Sequence, residues 1–404
     1  MLGVTLGNAL EFYDFLVFSF FAVQIGQCFF PATSPQSSLL AALATFGAGF
    51  LTRPLGAVVL GGLGDRVGRR PMMILSFALI GLSSLGVALT PSFATLGMAA
   101  PVLVIACRLV QGFALGGEVG TSTAFLCEAA PEARRGLYIS LQNVGQMAAV
   151  IVSGLIGVGL SASMNDVALA SWGWRIAMGL GVLIVPLGLF LRGSLPETLH
   201  PEVSAAPAPP LRSYARETVL ALLILLSSTI TTYVLNYMTT FAKTVLKLPS
   251  GVSFGATVVV GASGMAGALI GGLLADRHGR RPAGMWPMLA GSIAIVPGFW
   301  WVIHAPGAVS LYVVTFVLRF TFGLGISAAF VMVTEGFPAR VRSGALAITY
   351  ALAISVFGGS AQFVVAWLTG VTGNPLAPAW YMLAAALLGL GAVGASRETA
   401  PGRA

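Results

Sequence analysis

A charged signature written twice, half a chain apart, constrains this sequence more than any other feature. Gly61-Gly-Leu-Gly-Asp-Arg-Val-Gly-Arg-Arg-Pro71 recurs as Leu273-Leu-Ala-Asp-Arg-His-Gly-Arg-Arg-Pro282. Each copy is followed by a second echo, Glu128-Ala-Ala-Pro131 with Arg135 and then Glu335-Gly-Phe-Pro338 with Arg342. The chain is therefore two related halves. Both signatures sit between long apolar runs, the pattern of a membrane protein built from parallel repeats.

The apolar runs decide the solvent. With 57% hydrophobic and 8% charged residues over 404 positions, a soluble fold is excluded. Runs of about 20 residues between short charged loops read as spanning helices, because in lipid only helices or closed barrels satisfy their backbones. Barrel strands would alternate, and these runs do not. Twelve spans are expected. The first six are Val4 to Gly26, Leu39 to Leu60, Met72 to Leu89, Pro101 to Phe125, Leu137 to Leu160 and Trp174 to Leu191. The second six are Thr218 to Thr240, Ser253 to Leu274, Ala283 to Val302, Val309 to Val333, Ala345 to Leu368 and Trp380 to Ala395. Residues 1–192 and 217–404 would be two six-helix bundles joined by a linker at 193–216, whose Ala-Pro-Ala-Pro-Pro stretch ending at Pro210 cannot continue a helix.

Charge placement orients the chain. All but six of the 21 Lys and Arg fall in the loops after even-numbered spans, the linker and the tail. Arg175, Lys243 and Lys247 lie on the opposite face, and Arg53, Arg108 and Arg319 are embedded. Both termini are expected in the cytoplasm. The net charge of +8 is mostly this bias, so an anionic lipid surface is the expected partner and nucleic acid is not. Asn8, Glu11 and Asp14 interrupt the first apolar run, which reads as a permanent span and not a cleavable leader. Cys28, Cys107 and Cys127 share no CxxC spacing and the three histidines do not cluster, so no metal or other cofactor is expected. Without GxSxG, HExxH or a P-loop, an enzyme has no support.

The embedded ionisable residues are Glu11, Asp14, Arg53, Arg108, Glu118 and Arg319. Each costs about 2.5–3.5 kcal/mol or more at mid-helix unless it is paired or faces an aqueous cavity. Glu11 and Asp14, three apart, share one helix face; either is a reversible proton site, or each pins a neighbouring helix through an Arg. Arg53 and Glu118 lie at equal depth, about 15–18 Å above the cytoplasmic loops, and suit a structural ion pair between spans two and four. Arg108 and Arg319 occupy the corresponding fourth and tenth spans, roughly a turn apart in depth. Facing a central cleft they could clamp an anion from both halves; otherwise Asp14 neutralises Arg108 and Arg319 snorkels. Polar stripes support a wet path: Gln142, Asn143 and Gln146 in span five, Thr229, Tyr233, Asn236, Tyr237 and Thr240 in span seven, and Tyr350, Ser355 and Gln362 in span eleven. Asn8 and Gln111 join this candidate binding set.

On these residues the chain resembles the major facilitator superfamily, whose hallmark is the duplicated Asp-Arg-x-Gly-Arg-Arg loop. Gly7-Asn-Ala-Leu-Glu-Phe-Tyr-Asp-Phe15, Phe50-Leu-Thr-Arg-Pro-Leu-Gly56, Arg108-Leu-Val-Gln-Gly112 with Gly116-Gly-Glu118, and Trp172-Gly-Trp-Arg175 resemble its metabolite:proton symporters. That family carries citrate and related tricarboxylates, 2-oxoglutarate, shikimate, and proline or betaine. The run Ala41 to Gly56, Ser194-Leu-Pro-Glu-Thr198 and Phe357-Gly-Gly359 are most similar to its citrate-proton branch. The resemblance implies an all-α, twelve-helix transporter of two pseudo-symmetric bundles in the bacterial inner membrane, monomeric, importing an organic anion such as citrate with protons by alternating access. It places Asp14 opposite Arg108 as the proton-coupling acid, with Glu11 in reserve. It assigns Asp65, Arg66, Arg69, Arg70, Asp276, Arg277, Arg280 and Arg281 to a cytoplasmic gate that pairs Asp and Arg across the halves. A zwitterionic osmolyte is the alternative cargo. A non-transporting sensor would need a soluble domain, for which neither the segment before Val4 nor that after Arg397 has the length.

Overall fold

The computed structural model describes residues 2–67, 69–116, 130–131, 134–182, 211–337 and 342–400, and all regular structure among them is helical. In the first half these are α1 (Leu2–Phe20), α2 (Ala22–Phe29), α3 (Pro35–Leu51), α4 (Arg53–Val67), α5 (Arg69–Leu89), α6 (Ala99–Leu115), α7 (Arg135–Ser163) and α8 (174–182). In the second they are α9 (Ala215–Asn236), α10 (Met238–Thr244), α11 (Ser250–His278), α12 (Arg280–His304), α13 (Ala308–Gly336), α14 (Arg342–Ala353), α15 (Gly359–Thr372) and α16 (Ala377–Ala395). Among the described residues, eight helices or helix runs are long and apolar enough to cross a membrane. A bent pair makes a ninth, and Ile74–Leu89 and Ala99–Leu115 are shorter apolar helices. The sixth expected span appears as α8, and its remainder lies outside the described residues, as does most of the expected linker.

Among the described residues, short breaks at Thr52 and Tyr237 interrupt the second and seventh spans, and two other spans depart further from a continuous α-helix. The first bends by 71° between Phe20 and Ala22. The bend turns α2 so that fully buried Phe29 meets Trp174 of α8 edge-on at 5.2 Å, while Phe21 itself packs on Phe254 of the other half at 4.7 Å. Gly26 permits the turn, because a Cβ there would sit 2.7 Å from the Ser38 carbonyl oxygen of α3. The eleventh span is α14 and α15 joined by a π-helical turn, Ile354–Gly358, a bulge of the kind found beside functional sites. Conventional signals shape other ends: the Ser34 side chain accepts from Ser37 N at 3.1 Å ahead of Pro35, capping α3.

The repeat is visible in how helices cross. In the first half, Gly49 of the second span and Gly112 of the fourth let the two backbones touch. In the second half, Gly264 and Gly267 of α11 meet Gly323 of α13 in the same way, with a Cβ on Gly323 only 3.3 Å from the Gly264 carbonyl. These are corresponding spans of the two repeats. Lipid tails give no hydrophobic drive for helices to associate, so small residues that admit close backbone contact supply the attraction.

The halves meet along two seams. Along α7 and α11, Gly154 lies under Val258 and Gly157 under Phe254. Between the second and eleventh spans, Gly47 abuts Gly359, and Gln36 Nε2 donates to the Ala366 carbonyl at 3.1 Å. Ser19 of α1 donates to Gln362 Oε1 at 2.7 Å across the same interface.

Candidate functional site: a central cavity and its buried arginines

A cavity of about 60 Å³ lies between the halves, walled by both. At roughly 10–15 Å³ per water it has room for about four waters. Span seven supplies its polar wall: Thr229, Thr232, Tyr233 and Asn236 of α9 recur at helical spacing and face one way. Gln142, Asn143, Gln146 and Met147 of α7 stand opposite, with Phe12 and Leu16 of α1, and Tyr350 and Ile354 of the eleventh span complete the ring.

Arg319 of α13 is the cavity's cation. It is 5% exposed, its Nη1 donates to Thr232 Oγ1 at 3.0 Å and its Nη2 approaches Met147 Sδ at 3.0 Å. Its Nε has no partner, and no carboxylate among the described residues pairs with it. A buried guanidinium held by a hydroxyl and a thioether is under-satisfied, and a bidentate carboxylate would complete it. Asn236 Oδ1 beside it is also unbonded.

Of the expected binding residues, Arg319, Gln142, Tyr233 and Asn236 meet at the cavity. Arg108, Gln111 and Tyr237 do not line it. Tyr237 sits at the break between α9 and α10 and turns its hydroxyl to Thr244 on α10. The side chain of Asn8 lies outside the described residues. Arg108 is wholly buried in an aromatic enclosure, its guanidinium carbon 4.5 Å from the Phe15 and Phe18 ring centres and 5.3 Å from Phe46. Its Nη1 donates to Gln111 Oε1 one turn on, and its Nε and Nη2 are unbonded. The two-arginine clamp is therefore not assembled in this conformation: Arg108 packs against Phe46, whose ring lies 6.1 Å from that of the cavity-lining Tyr233, and does not itself line the cavity.

Asp14 is 3% exposed and makes no ion pair with Arg108 within salt-bridge distance. It lies beside Ser84 of α5 and against Gly181 of α8, where any Cβ would collide with its Oδ1, an atom with no hydrogen-bond partner. The neighbouring Tyr13 hydroxyl donates to the Ala177 carbonyl at 2.7 Å and fastens α1 to α8. The Glu11 side chain lies outside the described residues, and so does Glu118, and with it the expected pair to Arg53. Arg53 is buried with its guanidinium carbon 4.4 Å from the Phe15 ring and 4.2 Å from the Phe50 ring, so Phe15 serves two cations.

At the end of the bundle that carries it, the second signature forms a dense network. Arg280, 1% exposed, gives Nε and Nη2 to the Glu335 carboxylate at 3.1 and 3.2 Å and Nη1 to Asp276 Oδ1 at 3.2 Å. Thr399 Oγ1 donates to Glu335 Oε2 at 2.7 Å, and the Glu398 carboxylate accepts the backbone amides of Arg280 and Arg281. Arg281 Nη2 reaches the Gly394 carbonyl at 2.5 Å, and Arg277 ends α11. Among the described residues, Asp276 makes its contact across the halves with backbone amides, and the expected Asp–Arg pairing involves first-half side chains that lie outside them. Asp276 accepts the backbone N–H of Gly136 at 2.8 Å and of Leu137 at 3.0 Å, the unsatisfied first turn of α7. Arg280 stays within its own half because Glu335, from the second echo, offers it a fork-matched carboxylate. The side chains of Asp65, Arg66, Arg69 and Arg70 lie outside the described residues. At the opposite end, Asp166 Oδ1 accepts from Ser250 Oγ at 2.7 Å and from Lys243 Nζ at 3.4 Å, joining the halves there.

Sequence reasoning missed Met147 and Thr232. Thr232 lies three residues after Thr229 on a stripe already visible, whereas a methionine in an apolar helix carries no signal beyond packing.

Comparison with known proteins agrees with this architecture. The profile of the Major Facilitator Superfamily matches residues 4–361. The chain is 37% identical over 399 residues to a citrate-proton symporter of Salmonella typhi, covering 97% of this chain and 92% of that protein. It is 31% identical over 423 residues to a proline/betaine transporter of Escherichia coli (strain K12), covering 98% and 83%. The fold is similar to the xylose transporter XylE from E. coli in a partially occluded inward-open conformation, with a TM-score of 0.79 at 17% identity, covering 98% and 97%. The chain is a multi-pass membrane protein of the transporter class, not an enzyme, and it belongs to the major facilitator superfamily, among the relatives that include the citrate-proton symporters.

Proposed function

We propose that this protein imports citrate or a related tri- or dicarboxylate together with protons, by alternating access of two six-helix bundles, 1–192 and 217–404, hinged on the linker at 193–216. It works as a monomer in the bacterial inner membrane with both termini cytoplasmic, and the proton is the coupling ion. The observation that carries this reading is Arg319, a buried guanidinium with an unbonded Nε on a cavity shared by both halves. Its neighbours Gln142, Tyr233 and Asn236 can bond further carboxylate or hydroxyl oxygens. A zwitterion such as proline or betaine would bring a cationic end into the same space, and no acidic side chain lines the cavity among the described residues. The citrate-proton symporter at 37% identity supports the same cargo class.

Asp14, with Glu11 in reserve, carries the proton. A buried carboxyl with one oxygen unbonded and no ion pair can change charge state without breaking a salt bridge. The gate residues Asp65, Arg66, Arg69 and Arg70 repeat the roles of Asp276, Arg277, Arg280 and Arg281 in the other half. The test is a transport panel. Proteoliposomes with an inward proton gradient should accumulate labelled citrate above its external concentration. If citrate, tricarballylate, malate and 2-oxoglutarate all fail while proline or betaine enters, the carboxylate assignment is wrong.

A further inference from the structure

Four side chains from three helices form a continuous polar file that never reaches the cavity. Asp14 stands on α1, Ser84 on α5, and Gln111 and Arg108 on α6, and none is more than 3% exposed. Donor chemistry sets the direction of the file. A guanidinium only donates, so Arg108 Nη1 must meet the oxygen of Gln111 and not its nitrogen. That choice turns the amide nitrogen toward Ser84, and Gln111 Nε2 donates to Ser84 Oγ at 3.1 Å. Ser84, already accepting, has its own proton left for the carboxyl of Asp14 beside it. The bonds from Arg108 to Gln111 and from Gln111 to Ser84 point the same way, toward the carboxyl that Ser84 adjoins.

We infer that Ser84 and Gln111 are positioning residues that tie Arg108 to the charge of Asp14. An ionised Asp14 completes the file and draws Arg108 into its enclosure of Phe15, Phe18 and Phe46. A protonated Asp14 removes the negative end, and Arg108 is then held only by the rings and the neutral Gln111 amide, a weaker restraint that lets it swing past Phe46 and Tyr233 toward the cavity. The idea rests on the proton-symport reading and replaces a direct Asp14–Arg108 pair, which the structure does not contain, with a relayed one. Among the described residues, the charged and titratable groups facing this pair are Tyr13 on α1, Arg53 on α4, Cys107 on α6 and Tyr233 on α9. The abutting residue of α8 is Gly181, which has no titratable group.

The experiment measures equilibrium citrate binding to purified protein from acid to mildly alkaline pH. Wild type and variants are compared at each pH, so that citrate's own ionisation cancels. Coupled sites typically change each other's affinity by about 5- to 150-fold, and wild type should tighten within that range as pH falls. Ser84→Ala and Gln111→Leu should reduce the change to about twofold or less, while Ser84→Thr, which keeps a hydroxyl, should restore it. A wild-type pH dependence in Ser84→Ala overturns the relay. A wild type that binds equally at every pH defeats the proton-symport reading instead. The relay is then judged by infrared spectroscopy of the Asp14 carboxyl band, assigned by its loss in Asp14→Asn. Gln111→Leu, which does not touch that carboxyl, should shift the band, and an unmoved band overturns the relay independently of transport.

Discussion

At the residue scale, Arg319 and Asp14 are two buried groups in opposite predicaments. Arg319 faces a cavity with an unfilled donor, so its requirement is an anion. Arg319→Lys keeps the charge but loses the planar fork and should weaken citrate binding about tenfold, about 1.4 kcal/mol. Arg319→Ala should weaken it about a hundredfold or more, and titration calorimetry separates the two. Wild-type affinity in both variants would remove Arg319 from the site. Arg53, packed between Phe15 and Phe50 away from the cavity, should tolerate Lys with little change in binding. Asp14 has the reverse need, because its unbonded oxygen lies against Gly181 and Ser84 with no cation in salt-bridge contact. Asp14→Asn should abolish gradient-driven accumulation yet spare counterflow of citrate, since exchange moves no net proton. Accumulation against the gradient in that variant would return Asp14 to a structural role.

At the element scale, the seams hold helices by their ends. Asp276 caps the first turn of α7 across the interface while Arg280 and Glu335 lock α11, α12 and α13 together. Asp276→Asn removes the charge that complements the α7 N-terminus, a loss of about 1 kcal/mol that falls on the cytoplasmically closed state. Labelling of a single cysteine inside the cytoplasmic vestibule should rise about fivefold, and unchanged labelling would leave the signature with a topological role only. Glu335→Ala strips Arg280 of its better partner; breaking a buried pair costs about 3–5 kcal/mol, tempered here by the remaining Asp276, so thermal unfolding in detergent should move clearly downward. The external contact behaves differently because it is exposed. Ser250's hydroxyl, and after it Lys243, holds the Asp166 carboxyl below the usual carboxylate range. Its contribution is therefore complete above the unfolded value of about 4 and is lost only as pH falls through the lowered folded value. Asp166→Asn should make external cysteine labelling slightly faster at neutral pH, whereas mild acidification of wild type should not.

At the scale of the whole molecule, the two halves were legible because a repeat is a linear property. The duplicated signature and echo, the apolar run lengths and the loop bias of Lys and Arg follow from what lipid forbids, and lipid acts on each segment separately. Embedded charges were legible for the same reason, and Arg319, Gln142, Tyr233 and Asn236 were found as polar interruptions of apolar helices. What each charge faces was not legible. Arg108 and Arg319 occupy corresponding helices roughly a turn apart in depth, yet one is enclosed by Phe15, Phe18 and Phe46 and the other lines the cavity. That difference lies in helix rotation and in aromatic side chains contributed by other spans. Likewise the bend between Phe20 and Ala22, the π turn at Ile354–Gly358 and the thioether of Met147 on Arg319 arise from contacts between distant segments. The sequence by itself determined the membrane class, the duplication and the inventory of buried charge, because burial in lipid penalises each residue where it stands. Tertiary structure alone decided which charges share a cavity, which share a ring and which are joined through Ser84 and Gln111, because pairing depends on distances of a few ångströms between helices that meet only on folding.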